Sequence, residues 1–361
     1  MGREFFESNE RSTKHIKHTD TMRSKIFLLL IVMTALLGSC GNKTRSGYTD
    51  ADTIVLRSCP QFEADSAMSH IVAQCAFGPR VTGSTASLQC AQWIKNKFDQ
   101  YGCTTEFQDE TVKTWDGTHT PCRNIIARIN PQAHDRILIC THWDSRPWAD
   151  NDPDPNNHHT PVPAANDGAS GVAVMLEMAR IIQSSPIADT FGIDFVCFDA
   201  EDMGTPEWAE QTDSDDTSGS TWCLGSEAWA QRARMSGYEA RYGILLDMVG
   251  GRGATFAREQ VSQQYAAPGL NIVWALASQL GYSSYFVSRE GGALMDDHVN
   301  VNAIAAIPCI DIVPHYQHGP SSFGPTWHTI ADTPDNIDTA TLNAVGHTLI
   351  QLMYNESGLV V

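Results

Sequence analysis

The sequence predicts an α/β fold: a mixed, mostly parallel central sheet flanked by helices on both faces, within one domain over residues 59–361. Three observations predict it. The runs Ile137-Leu138-Ile139-Cys140 and Ile193 to Phe198 are continuously apolar, as strands buried on both faces are. Helical apolar spacings alternate with such runs along the chain. Acidic residues and histidines follow the strand ends, where open α/β sheets collect ligands.

Taken in order, residues 1–21 are polar, and Met22-Arg23-Ser24-Lys25 makes a short basic start before the apolar run Ile26 to Leu37. That run is short for a bilayer span but has signal-peptide length, so 1–39 is expected to be a signal segment with Met22 as initiator. It ends in Leu37-Gly38-Ser39-Cys40, which resembles a bacterial lipoprotein cleavage box. The resemblance implies a lipid on Cys40, a polar tether over 40–58, and a periplasm-facing place on the bacterial cell envelope.

Helices are expected near 63–77 and 85–101, the second carrying Leu88, Trp93, Ile94 and Phe98 and stopping at Gly102. Strands follow at Asn124 to Ile129 and at 137–140. Val172, Met175, Leu176, Ala179 and Ile182 form one face of a helix. Next come a strand at 193–198, a helix at 225–236, a strand at 242–248 and a helix near 269–280. Short strands near 284–288 and 307–313 and a helix near 338–354 complete the set, with no internal repeat and no inter-domain linker. Residues 145–166 and 203–220 read as long loops, and such loops in a compact domain are often functional. The acidic run Asp213, Asp215, Asp216 reads as a solvated face.

The net charge of −18 over 361 residues repels phosphate backbones, which excludes nucleic acid as a partner. Of ten cysteines, nine remain once Cys40 carries lipid, and none forms a CxxC pair, so a cysteine metal cage is not expected. An oxidising compartment permits disulfides, with Cys90/Cys103 and Cys197/Cys223 as candidate pairs.

Five stretches bring chemistry to the rim. His142 and Asp144 follow the strand at 137–140; Glu201 and Asp202 follow 193–198; Asp247 follows 242–246; His328 ends the loop after 307–313; Asp167 precedes the helix at 169–182. A catalytic Zn²⁺ takes three ligands from His and Asp/Glu and keeps a position open, and Asp167, Asp202 and His328 supply that set. Glu201 and Asp202 are adjacent, so on an extended chain they point apart, one to metal and one to substrate as a base. Taken singly, each has a plainer reading: Asp167 as a helix cap, His328 as a hydrogen-bonded histidine, His142 as a support for a neighbour. Their joint placement favours a site. Gly168-Ala169-Ser170-Gly171 lacks the GxSxG spacing of a nucleophilic serine.

The motifs HWDSR, AANDGASG, FDAED, LLDMVG, MDDH and TWHT occur in the order and spacing of the aminopeptidase-like zinc peptidases, and the resemblance covers roughly residues 60–355. It implies a zinc aminopeptidase-like fold and five ligand positions, His142, Asp167, Asp202, Asp247 and His328. Within that superfamily the chain resembles the glutaminyl cyclase branch. Asp296 in Asp296-Asp297-His298 matches an acidic cyclase position, Trp327 precedes His328, and Phe323 and Trp208 stand at about the cyclase spacings. Asp202 stands where animal cyclases carry Glu and looks like the bacterial variant.

This branch implies one Zn²⁺ per subunit on Asp167, Asp202 and His328, with His142 and Asp144 as supports behind the ligands. It further implies Glu201, Asp247 and Asp296 as an acidic catalytic network and Trp208, Phe323 and Trp327 as substrate walls. The activity implied is closure of an N-terminal Gln of peptides or proteins to pyroglutamate with release of ammonia, by a monomer. The alternative is a dizinc aminopeptidase in which His142 and Asp202 hold one metal, His328 and a second carboxylate the other, and Asp167 bridges. A non-catalytic binding lipoprotein would show gaps among the metal positions, and the sequence has none.

Overall fold

Alternate residues along the strands feed two separate cores, and that period of two places the site. In the computed structural model, which describes residues 54–209 and 220–358, the helices are α1 (Ala64–Cys75), α2 (Thr85–Gln100), α3 (Ala169–Ser184), α4 (Leu224–Ser236), α5 (Gln260–Gln279), α6 (Asp297–Ala303) and α7 (Thr339–Glu356). The strands are β1 (Thr104–Lys113), β2 (His119–Ile129), β3 (Asp135–His142), β4 (Phe191–Phe198), β5 (Gly243–Leu246), β6 (Phe256–Arg258), β7 (Phe286–Glu290) and β8 (Cys309–Ile312).

The main sheet runs β1-β2-β4-β3-β5-β8, and β6 and β7 form a parallel pair apart from it. β1/β2 and β2/β4 are antiparallel, whereas β4/β3, β3/β5 and β5/β8 are parallel. Ile137, Ile139, Ile193, Phe195, Ile244 and Ile310 pack with α1, α2, α3, α5 and α7. Their neighbours Leu138, Cys140, Val196, Phe198, Leu245 and Cys309 pack with Trp229 and Ala230 of α4 and Val301 beside them. The mixed sheet with helices on both faces is the predicted architecture.

Local causes account for the helix ends. Ser84 caps α2 by accepting from Ser87 N–H, Glu259 caps α5 through Val261 and Ser262 N–H, and Asp338 caps α7 through Ala340 N–H. Burial extends almost all round α3, beyond the single face predicted, because other elements also cover its second side. The helix expected near 269–280 starts at Gln260: the chain leaves helical geometry at Ala266, ahead of Pro268, and resumes, so the proline sits at a kink inside one longer helix.

Three further expectations are corrected. Residues 54–58 of the tether pack on the fold: Ile54 is buried, its carbonyl accepts from Gln279 Nε2 at 2.8 Å, and Arg57 N–H donates to Asn355 Oδ1 at 3.0 Å. Neither Cys90/Cys103 nor Cys197/Cys223 is bonded; all nine cysteines among the described residues are free. β1, β6 and α6 were not expected. The signal segment, Cys40 and the run Asp213–Asp216 lie outside the described residues. Among those described, no helix is long and apolar enough to cross a membrane.

Candidate active site and metal centre

The parallel strands β3, β4, β5 and β8 all point their carboxyl ends to one edge, so the residues that follow them meet there. Two glycines bring Asp167 in from the side. A Cβ on Gly171 would meet Thr141 Oγ1 at 2.1 Å, and one on Gly168 would meet the His142 carbonyl at 2.6 Å. Only glycine allows the start of α3 to press against β3. Gly168, not Asp167, is the cap residue, so the carboxylate of Asp167 is left for other work.

Asp167 is the hub. Its Oδ1 lies 2.9 Å from His142 Nε2, and its Oδ2 lies 3.8 Å from His328 Nε2. His328 Nε2 in turn lies 3.1 Å from Asp202 Oδ1, and His142 Nε2 lies 3.2 Å from Asp247 Oδ1. Two potential ligand groups result, Asp167–Asp202–His328 and His142–Asp167–Asp247, each with ligand atoms within 4.8 Å of one another. His142 also meets Glu201 and Asp202 in a third group with ligand atoms within 4.8 Å, so His142 has both Asp247 and Asp202 within reach, and His328 has Asp167 and Asp202.

The supports behind these groups are carboxylates. Asp144 accepts from both Glu201 N–H and Asp202 N–H at 3.2 Å and faces His142 Nδ1 at 3.3 Å. His328 Nδ1 faces Asp150 Oδ1 at 3.5 Å, and Arg146 Nε donates to the same oxygen at 2.8 Å. Asp332 accepts from Asn166 N–H at 2.8 Å and Asp167 N–H at 3.0 Å, holding the turn that leads into α3. Imidazole ligands whose second nitrogen faces a carboxylate are the usual arrangement at metal centres.

Glu201 and Asp202 do not point apart. Ala200 takes φ +56°, in the left-handed region, and this turn breaks the extended chain that the alternation argument assumed. Both carboxylates therefore line one cavity of about 330 Å³, together with Asp167, Asp247, Asp296, Trp222, Phe323, Trp327 and His328. Trp222 and Trp327 stack on His328, with ring centroids at 5.9 and 3.9 Å. Trp208 stands elsewhere: it is 40% exposed and packs on Trp148 and His159 rather than on the cavity.

The electrostatics follow from crowding. Burial and the neighbouring Asp202 push Asp167 up to about 6. Burial, then Asp202, pushes Glu201 well above the usual carboxylate range; burial and Asp247 do the same to Asp296. Burial opposes ionisation of Asp202 too, but His328 holds it at about 2. Burial would lower His142, yet Asp144, Asp167 and Asp247 raise it well above its ordinary value.

Carboxylates thus outnumber cations here, and buried Asp202 Oδ2 has no hydrogen-bond partner among the described residues. Mixed oxygen and imidazole donors suit Zn²⁺, and an unpaired buried oxygen beside them fits such an ion. Asp150, Asp332 and Trp222 were not singled out from sequence, and Cys223 only as a candidate disulfide partner. Trp222 and Cys223 had one local signal, their place directly before the helix start at Leu224.

A model of peptidase family M28 matches residues 124–353. The glutaminyl cyclase of Tannerella forsythia is 45% identical, with TM-score 0.78, and the match covers 82% of this chain and 99% of that one. A zinc-dependent exopeptidase from Parabacteroides distasonis is 43% identical, with TM-score 0.78, covering 82% and 100%. The glutaminyl-peptide cyclotransferase of Bothrops jararaca is 26% identical over 299 residues, 75% of each chain.

Proposed function

The chain belongs to peptidase family M28, and from that premise we propose that it is a zinc-dependent glutaminyl cyclase, an acyltransferase converting N-terminal Gln of peptides or proteins to pyroglutamate with release of ammonia. The observation that carries this reading is the carboxylate pair at the cavity. Glu201 and Asp296 oxygens come within 4.8 Å of one another and of Cys223, directly beside Asp167–Asp202–His328. An acid at 296 gives Glu201 a second carboxylate with which to share a proton. The similarity to bacterial cyclases over most of the chain supports the same reading.

Asp167, Asp202 and His328 would hold one zinc ion. Such an ion supplies Lewis-acid polarisation of a carbonyl oxygen. Glu201 takes a proton from the substrate α-amine, the amine nitrogen bonds to the γ-carbonyl carbon, and the bond from that carbon to the amide nitrogen breaks. Glu201 returns the proton to the departing nitrogen, which leaves as ammonia. Asp296 and Asp247 hold Glu201 in a protonation state that can both take and give. Phe323, Trp327 and Trp222 wall the cavity and restrict water, which would otherwise compete with the amine. The lipid on Cys40, the periplasm-facing placement and the monomeric state belong to this proposal.

One observation favours a second reading. Asp167 is shared between two ligand groups, as a carboxylate bridging two metals would be, so a dizinc aminopeptidase is the competing activity. Incubation with a Gln-initiated peptide separates them: ammonia with pyroglutamyl peptide supports the cyclase, and a free amino acid supports the peptidase.

A further inference from the structure

Glu201 is fixed firmly at its backbone. Its N–H donates to Asp144 Oδ1 at 3.2 Å, and its carbonyl accepts from Cys223 N–H at 2.9 Å. Its carboxylate is held differently: among the described residues it receives one hydrogen bond, from Cys223 Sγ to Oε1 at 3.2 Å. Cys223 is itself tightly placed. It is fully buried, takes φ +60° and immediately precedes α4, and its carbonyl accepts from Asn300 Nδ2 at 3.0 Å. A non-glycine residue in the left-handed region costs energy, so the surrounding contacts hold it there.

A carboxylate oxygen of Asp296 also lies within 4.8 Å of the thiol sulfur, in the same cluster as Glu201. Burial and the charges of Glu201 and Asp297 push the thiol well above its ordinary value. It therefore keeps its hydrogen and serves as a donor, not as a nucleophile.

We propose that Cys223 is a positioning residue: its S–H bond to Oε1 turns the other Glu201 oxygen into the cavity, towards the amine of the substrate. The catalytic half of this claim rests on the cyclase reading above; the hydrogen bond itself does not. Cys223→Ala and Cys223→Ser both keep a Cβ at φ +60°, so the pair isolates the donor from the backbone. With Gln-peptides as substrate, Cys223→Ala is expected to lower kcat on the order of tenfold, with KM within about twofold of wild type. Cys223→Ser restores a donor on a shorter bond and recovers part of that loss. A packing role predicts the reverse order, because a buried hydroxyl fits an apolar site worse than a methyl group.

Wild-type kcat in Cys223→Ala, or Cys223→Ser no better than Cys223→Ala, overturns the proposal. An infrared measurement covers the case in which Cys223→Ala does not fold. The difference spectrum between wild type and Glu201→Ala is expected to show one S–H stretching band moving to higher wavenumber as the bond is lost. No moving band overturns the proposal. That readout uses no activity, so it stands or falls separately from the cyclase reading.

Discussion

The two halves of the central sheet bury carboxylates under opposite conditions of charge. In the first half of β3 and β4, Asp194 is sealed against Arg136. The guanidinium Nη1 reaches both its oxygens at 3.0 and 2.9 Å, and Tyr238 donates to it at 2.6 Å. Nearby, Arg241 pairs with both Asp135 and Glu356. Past the carboxyl ends of the same strands, Asp144, Asp167, Asp202, Asp247, Glu201 and Asp296 gather around two histidines and Arg146, with an Asp202 oxygen unpaired. The first arrangement is complete within the chain and serves stability. The second lacks positive charge, which a bound cation would supply.

That contrast can be broken at either end. The largest effect is expected at the rim: Glu201→Gln should cost ~10³-fold in turnover while leaving the melting temperature near wild type. A comparable loss of stability would move Glu201 into the first class. At the other end, Arg136→Ala strands Asp194 in the core. It should cost about 3 kcal/mol or more in denaturant unfolding with kcat unchanged among the molecules that remain folded. A change in kcat would show that the halves are coupled.

A pH series sharpens the contrast, since Glu259 is a carboxylate settled by His298 and helix N–H groups instead of an arginine. Burial opposes its charge, but His298 and the Ser262 and Val261 N–H groups hold it at about 2. Its folded value lies below the unfolded one near 4.5, so its stabilisation is fully present above that pH and fades as pH falls towards 2. Glu259→Gln should flatten this acid limb, with at most about 3 kcal/mol at stake. An unchanged limb would assign it to other carboxylates. The smallest effect is expected from Trp327→Ala, which opens the cavity wall and should raise KM roughly tenfold with a smaller change in kcat.

The parts legible in the sequence were those with a strong local period or a strand-end position. Ile137–Cys140 and Ile193–Phe198 announced the buried strands, and His142, Asp167, Glu201, Asp202, Asp247, Asp296, Phe323, Trp327 and His328 converge as their motifs suggested. β1 was missed because it is an edge strand with a largely exposed, charged sequence, TTEFQDETVK, and no apolar alternation strong enough to mark it. α6 is seven residues long, too short for a helical period. Trp222, in place of Trp208, had only its position before α4 to mark it, and the partners Asp150 and Asp332 depend on how long loops fold back over the rim, which no local pattern records.

The central claim is that one zinc ion on Asp167, Asp202 and His328 serves ring closure rather than hydrolysis. The direct measurement takes purified protein, determines its zinc content and follows a Gln-initiated peptide by mass and by ammonia release. The account predicts one zinc per chain and equal amounts of ammonia and pyroglutamyl peptide, both lost on chelation. Two zinc ions per chain with release of free glutamine would contradict it.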